Sequence, residues 1–514
     1  MAFTSTALEP ERIAPERIAP ERIAKVRQYI KETWHSLRRG HDSLLAAAED
    51  PKLEHNPGDA WPVYVSCKEN LAQIRETLGH KIPEDFQQIA LKQLPEEVSD
   101  LQGHGLLYLP GDYIVPGGRF NEAYGWDSYF ILLGLLEDDK LVLAKSLTEQ
   151  LLYQVEHYGA VLNANRTYFL SRSQPPLLSR MVLKLYARTQ DMGWLQGTLP
   201  TLIAYYEYWM LPEHSPTATV LSRFYDYGEG PAPEVAASER DETGRTHFDR
   251  IKTFYQQNEI EDYNVSLYYD AEKDELTPLF YRGDRTMRES GFDPTNRFGP
   301  FSVDVLHYLP VCLNSLLYQM EKDIAEICQL LGEGASTVRL WRQRAGDRAQ
   351  AINDYLWDEE HGLYFDYHFP TAQRRHYEFA STFYPLWTGV ASAQQAQSVV
   401  NNLAKFEAPG GVRTSTVTSG NQWDNPFGWA PLQLIAVEGL RRYGFVEESN
   451  RLAQRFVALL IEDFERCGSL VEKYNLDTRS SEVSDGIQYG YSSNEIGFGW
   501  TNGVLLSLLD LLDL

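Results

Sequence analysis

Six stretches of the sequence concentrate residue types that bind and break polar substrates, each lying between apparent helices. They are PGGRFNEAYGWDSYF (116–130), NANRTYFLSRSQPP (163–176), RESGFDPTNRF (288–298), NQWDNPFGW (421–429), EKYN (472–475) and GFGWTNG (497–503). Their Asp, Asn and Arg residues offer directional donors and acceptors, and their Trp, Phe and Tyr offer flat apolar faces. A sugar uses both, because it carries hydroxyls around its rim and C–H groups on its faces. Any one stretch could be a capped turn, since Gly, Asp and Asn favour such places. Taken together, they predict one loop-lined pocket for a sugar. The 12 His residues show no HxxxH or similar ligand spacing. Cys67, Cys312, Cys328 and Cys467 form no CxxC pair. No catalytic metal, zinc site, disulfide framework or cofactor is therefore expected.

Helices must position these loops. In 338–356, Val338, Trp341, Ala345, Ala349, Ile352 and Leu356 recur at spacings of three and four, an amphipathic stripe. Residues 129–136 are apolar all round, as in a helix with neighbours on every side. Similar stretches occur near 141–157, 175–188, 198–211, 301–330, 381–403, 429–443, 448–465 and 503–513, whereas strand-like alternation is short, as at 412–418. About a dozen helices without a dominant sheet predict an all-α domain. Periodicity leaves a bundle, a solenoid and a closed toroid open. Residues 10–24 are three copies of Pro-Glu-Arg-Ile-Ala, so 1–24 is expected to be a flexible extension and 25–514 one domain. The Gly-, Pro- and acid-rich stretch 228–262 reads as an inserted loop or lobe.

The charge narrows the partners. With 47 basic and 72 acidic residues the net charge is −25, which repels phosphate backbones and anionic membranes. A small-molecule partner, and neither nucleic acid nor membrane, is expected. The N-terminal run has no apolar h-region, and the longest apolar run, 504–514, is short and carries two Asp. A cytoplasmic location follows as the expectation. The 31 Tyr, 22 Phe and 11 Trp suit carbohydrate stacking.

PGGRFNEAYGWDSYF and QWDNPFGWAP closely resemble the two signature motifs of the trehalase family of glycoside hydrolases, and SRSQPP, SGFD, EKY and GFGWTNGV fall in that family's order. The resemblance implies an (α/α)6 toroid with a deep pocket for a terminal glucose, and hydrolysis with inversion at the anomeric carbon. Inversion requires two carboxyls about 6.5–9.5 Å apart, with room for a water. Carried over by motif, Asp293 matches the general acid and Glu472 the general base. A general acid must keep its proton near neutral pH, and Phe292 or Trp126 could supply the apolar wall that raises its pKa. Lys473 adjoins Glu472, although neighbours in an extended segment point to opposite sides. The resemblance further implies substrate contacts from Arg119, Phe120, Trp126, Asp127, Asn163, Arg172, Gln422, Trp423, Asp424 and Trp500. The two arginines are equally suited to buried ion pairs.

Two departures fall on the leaving-group side. The family's Arg-Pro-Arg-Pro-Glu-Ser segment corresponds to Gly230-Pro231-Ala232-Pro233-Glu234-Val235, which keeps Glu234 and loses both arginines. The family's glycine-rich run ending in Glu-Tyr is replaced by NLDTRSSEVSDGIQYGYSSNEI (475–496), where Tyr491 and Glu495 could serve the aglycone. This combination is similar to the trehalase-like glucosylglycerol hydrolases of cyanobacteria. The expected substrate is therefore 2-O-α-glucosylglycerol, with α,α-trehalose as the alternative.

Overall fold

The structure is a computed structural model that describes residues 18–53, 56–235, 240, 243–260, 263–483, 487, 489 and 493–514. Besides the short helices Leu44–Ala48 and Leu403–Phe406, its helices are α1 (Pro20–Leu37), α2 (Leu71–Lys81), α3 (Asp127–Glu137), α4 (Leu141–Tyr158), α5 (Leu178–Thr189), α6 (Met192–Trp209), α7 (His247–Gln257) and α8 (Pro278–Glu289). They continue with α9 (Val311–Leu330), α10 (Ala335–Ala351), α11 (Tyr384–Thr388), α12 (Ala393–Asn401), α13 (Ala430–Arg442), α14 (Val446–Cys467) and α15 (Gly499–Leu511).

Six of these, α3, α5, α9, α11, α13 and α15, form an inner ring in which each touches the next and α15 returns to α3. Outside it, α4 packs on α3 and α5, α6 on α5 and α9, α10 on α9, α14 on α13 and α15, and α1 on α14 and α15. The short α12 rests on the strand Leu363–Tyr364. This is the (α/α)6 toroid, one of the three arrangements that periodicity left open.

Position in the ring explains the sequence patterns. Every residue of α3 from Asp127 to Leu136 is buried, because an inner helix has protein on all sides. Outer α14 buries Leu452, Phe456, Leu459 and Leu460 along one stripe and turns Arg451 and Glu462 outward. The ring closes at a glycine pair. A Cβ on Gly503 would lie 1.9 Å from the Phe130 carbonyl oxygen, and one on Gly134 2.6 Å from the Gly503 Cα. Only residues without side chains let α3 and α15 approach this closely.

Several expectations are revised. The third Pro-Glu-Arg-Ile-Ala copy is not a flexible tract, since Pro20 opens α1 at its first turn and Ile23 is buried. Proline is tolerated there because the first N–H groups lack helical partners anyway. The 228–262 stretch contains α7, started by a Thr246–Asp249 capping box, so it is not loop throughout. The stretch 301–330 divides into a 3₁₀ segment, Pro300–His307, the extended pair Tyr308–Leu309, and α9. Phe301 and Ser302 lie in the left-handed region, at φ 58° and 54°, which breaks the helix. The stretch 381–403 breaks at Gly389, φ +82°. Strand near 412–418 is limited to Gly411–Val412. A three-stranded parallel sheet was not foreseen: β1 (Trp61–Val65) pairs with β2 (Ile89–Gln93), Trp61 opposite Ile89, and with β3 (Leu106–Leu107). Its edge meets the 163–176 loop, where Leu107 N–H donates to the Asn165 carbonyl at 2.9 Å.

Candidate active site

The stretches 116–130, 163–176 and 421–429 run into the N-termini of α3, α5 and α13, 288–298 precedes α9, and 472–475 and 497–503 lead into α15, so five of the six inner helices turn their N-termini toward the site loops. That end of a helix carries partial positive charge, which suits a cluster of carboxyls.

Asp293 follows α8 through a turn at Gly291. Gly291 has φ +78°, and a Cβ there would stand 3.0 Å from the Trp126 ring, so backbone conformation and space both require glycine. Phe292 packs edge-on to Trp126 at 5.6 Å and to Trp423 at 5.1 Å, forming the apolar wall. The Asp293 side chain keeps 34% of its surface exposed, with Arg288 Nη1 3.7 Å from its Oδ2. Burial pushes its carboxyl up to about 7; Arg288 and Arg172 oppose the rise and Glu472 adds to it. A carboxyl in that range holds a proton near neutral pH.

Glu472 immediately precedes β5 (Lys473–Asn475), which pairs antiparallel with β4 (Phe427–Trp429), Lys473 opposite Trp429. Its side chain is 3% exposed. The Glu472 N–H donates to the Glu495 carbonyl at 3.0 Å, and Trp500 Nε1 donates to the Glu472 carbonyl at 3.1 Å. Alternation places Lys473 on the other side, yet its Nζ comes 3.7 Å from Glu472 Oε2. The long side chain achieves this while donating to Gln422 Oε1 and the Ser493 carbonyl, both at 3.1 Å. Burial lowers the Lys473 amine to about 8 against the pull of Glu472.

Asp127, the first residue of α3, is a third buried carboxyl. Burial, reinforced by Glu472 and Asp293, raises it well above the carboxylate range.

The 421–429 stretch holds these groups together. Gln422 Nε2 donates to the Asp293 carbonyl and its Oε1 accepts from Lys473, so one amide ties the acid loop to the base strand. Trp423 N–H donates to the Pro294 carbonyl at 3.1 Å. Asp424 accepts from Thr295 Oγ1, the Asn296 N–H, Tyr377 OH, Ser415 Oγ and Ser419 Oγ at 2.5–2.9 Å. It is fully buried. Trp423 lies flat on Trp429 at 3.8 Å and is 2% exposed. Trp423 and Asp424, expected to contact sugar, both stand behind the acid loop, Trp423 stacked on Trp429 and Asp424 accepting five hydrogen bonds. Trp126 and Trp500 are likewise buried, 5.7 Å apart.

The 116–130 stretch is more open. Arg119 is 45% exposed, its Nε 3.1 Å from Glu495 Oε2, and its guanidinium lies 4.7 Å over Phe120. The Arg119 N–H also donates to Glu495 at 3.0 Å. Arg172 is buried, with Nε donating to Asn163 Oδ1 at 2.8 Å and ion pairs to Asp226 at 3.3 Å and to Glu234. The ion-pair reading of Arg172 is thus the one observed. Burial works to raise the Glu234 carboxyl, but Arg172 and Arg288 hold it at about 2. Tyr491 lies outside the described residues.

Sequence reading passed over Arg288. It bonds to Asp284 at 3.1–3.2 Å and brings its guanidinium to Glu234 at 3.9 Å and Asp293 at 3.7 Å. The signal was its place five residues before Asp293. Tyr377, Thr295 and Asp226 carried no signal, because they act through partners distant in sequence.

With the geometry in view, sequence comparison decides the family: the trehalase family profile matches residues 16–513. The chain belongs to the trehalase family of glycoside hydrolases. It is 38% identical over 536 residues to a cytosolic neutral trehalase of Kluyveromyces lactis, covering 92% of this chain and 69% of the relative. It is 35% identical over 425 residues to a periplasmic trehalase of Xanthomonas oryzae, covering 79% and 69%. The solved structure of neutral trehalase Nth1 from Saccharomyces cerevisiae superposes with a TM-score of 0.78 at 31% identity, covering 95% of this chain and 94% of that one. Membership of this family makes the chain a glycoside hydrolase. No helix among the described residues is long and apolar enough to cross a membrane.

Proposed function

We propose that this member of the family hydrolyses α,α-trehalose to two glucose molecules with inversion, Asp293 acting as general acid and Glu472 as general base. The observation that carries the reading is Arg288, whose guanidinium stands between the protonated Asp293 and the ionised Glu234. The glucosylglycerol expectation took the loss of two arginines at 230–235 to mean a leaving group other than glucose. An arginine reaches Glu234 all the same, from α8. Glu234 Oε2 is buried without a hydrogen-bond donor among the described residues, and an ionised carboxylate there suits a second sugar's hydroxyls. The remodelled run 475–496, the other ground for glucosylglycerol, falls partly outside the described residues. The named relatives are trehalases, which favours trehalose.

In this mechanism Asp293 gives its proton to the glycosidic oxygen as the C–O bond breaks. Glu472 takes a proton from the water that attacks the anomeric carbon from the opposite face. Gln422 and Lys473 keep the two carboxyls in register. Arg119, Phe120, Asp127 and Asn163 surround the terminal glucose, and Arg172 orients Asn163 on that side and Glu234 on the side of the second sugar. The cytosolic relatives and four free cysteines support a cytoplasmic location, while the periplasmic relative gives the competing one.

The test is initial rates on trehalose and glucosylglycerol at equal concentration, with proton NMR during the first minutes. Trehalose should be the faster substrate and should give equal α- and β-glucose at first, because the leaving glucose keeps its configuration. Preference for glucosylglycerol would overturn the substrate; an excess of α-glucose would overturn inversion.

A further inference from the structure

We infer that Asp358, His361 and His376 form a binding site for a divalent transition-metal ion of the zinc class, outside the catalytic cleft. The sequence hides it, because His361 and His376 are fifteen positions apart and match no ligand spacing. The fold brings them together. Asp358 ends the strand Trp357–Asp358, which pairs with Leu363–Tyr364 in a hairpin whose turn carries His361. His376 follows the strand Gln373–Arg375.

His361 Nδ1 lies 2.9 Å from Asp358 Oδ1, and His376 Nε2 lies 3.0 Å from Asp358 Oδ2. One ligand atom from each residue falls within 4.8 Å of the others. Zinc bonds of about 2.0–2.2 Å set neighbouring ligand atoms roughly 3–3.5 Å apart, so small shifts would seat an ion. Two imidazoles and one carboxylate select zinc-like ions over calcium or magnesium, which take oxygen ligands.

The ligands are held before any ion arrives. The two imidazoles stack at 4.2 Å and 26°. Buried Phe365 meets both edge-on, His376 at 4.9 Å and His361 at 5.7 Å. The His361 N–H donates to Asp358 Oδ1 at 2.9 Å, which fixes the turn. Arg374, 4.0 Å from Asp358, makes its hydrogen bonds to the Tyr355 and Asp354 carbonyls instead. Both His side chains are more than a third exposed, so an ion can enter and water can complete its shell.

Occupancy would reach the catalytic acid through the chain. Arg375 donates to the Arg297 carbonyl at 2.7 Å, and Tyr377 donates to Asp424, which holds Thr295 and Asn296. An ion pinning His376 to the 357–364 hairpin would stiffen the strand that braces this loop.

The experiment is isothermal titration of the tag-free, chelator-stripped full chain with zinc chloride, repeated with calcium chloride, alongside melting curves. One equivalent of zinc should bind and raise Tm, and calcium should do neither. H361Q and H376Q should each weaken zinc binding at least about tenfold, the usual scale for disturbing a metal site, and abolish the Tm rise. H361Q should leave metal-free trehalose turnover unchanged. Absence of zinc binding would overturn the proposal, as would binding that survives both variants. Loss of binding in H368Q alone would also overturn it, by placing the ion at Asp304, His307 and His368, the other such cluster among the described residues.

Discussion

The stretches 116–130 and 421–429 are alike in composition, both mixing Asp, Asn, Gly and Trp, yet the fold uses them differently. In the first, Arg119 is nearly half exposed and shares its guanidinium between Glu495 and the Phe120 face. In the second, Asp424 is buried under five donors and Trp423 lies between other rings. In the first, Gly118 and Arg119 are open to solvent; the second fixes the loop that carries Asp293 and, through Gln422, ties it to the Glu472 strand. Residue types that suit a sugar also suit the immobilisation of a carboxyl. Burial and hydrogen-bond saturation separate the two roles, and composition does not.

Substitutions can break or sharpen this contrast. The largest effects belong to the carboxyls that both regions serve. D293N and E472Q should each lower kcat at least about a hundredfold, the usual scale of general acid–base catalysis, with little change in Tm. Steady-state kinetics beside a melting curve checks this, and wild-type turnover in either variant would remove that residue from its role.

R119Q should raise KM about tenfold, roughly 1.4 kcal/mol, while kcat moves little. D424N should do the opposite. It replaces an acceptor of five hydrogen bonds with an amide that brings its own donors, at a cost of about 1–3 kcal/mol. Tm and kcat should fall while KM holds. If D424N raised KM and left Tm alone, both motifs would belong to the sugar and the contrast would fail.

The smallest effect is a displacement in pH. Asp293 acts protonated, so kcat/KM should fall as pH rises through about 7, where its carboxyl titrates. Arg288 favours the ionised form, so R288Q should move this alkaline limb to higher pH, read from pH–rate profiles. A limb that stayed fixed would mean another group sets it.

Legibility from sequence followed the range of the interactions. The buried helix at 129–136 was readable because apolar residues all round a helix report their surroundings locally. Asp293 and Glu472 stand out in the sequence only through motifs, and the fold ties their two segments together through the Gln422 amide. The role of Asp424 was not readable, since its donors come from positions as far as 129 residues away. The kink at Phe301 and Ser302 was invisible because left-handed backbone outside glycine carries no consistent residue mark. The sheet at 61–107 escaped because its strands are no longer than five residues and pair in parallel with partners distant in sequence, so no hairpin turn announces them. Arg288 stood inside a quoted stretch and was missed because its partner Glu234 comes from another loop.

The glycine seam between α3 and α15 has a consequence for synthesis. Gly134 and Gly503 are about 370 residues apart, and the ring cannot shut until the last helix has left the ribosome. At about 5–20 residues per second, the first inner helix waits roughly 20–70 s for its final neighbour. During that interval the apolar face that α15 will cover stays open to chaperones or to other nascent chains. A chain cut short before α15 should therefore emerge aggregation-prone, and most of the ring's cooperativity should arrive with α15.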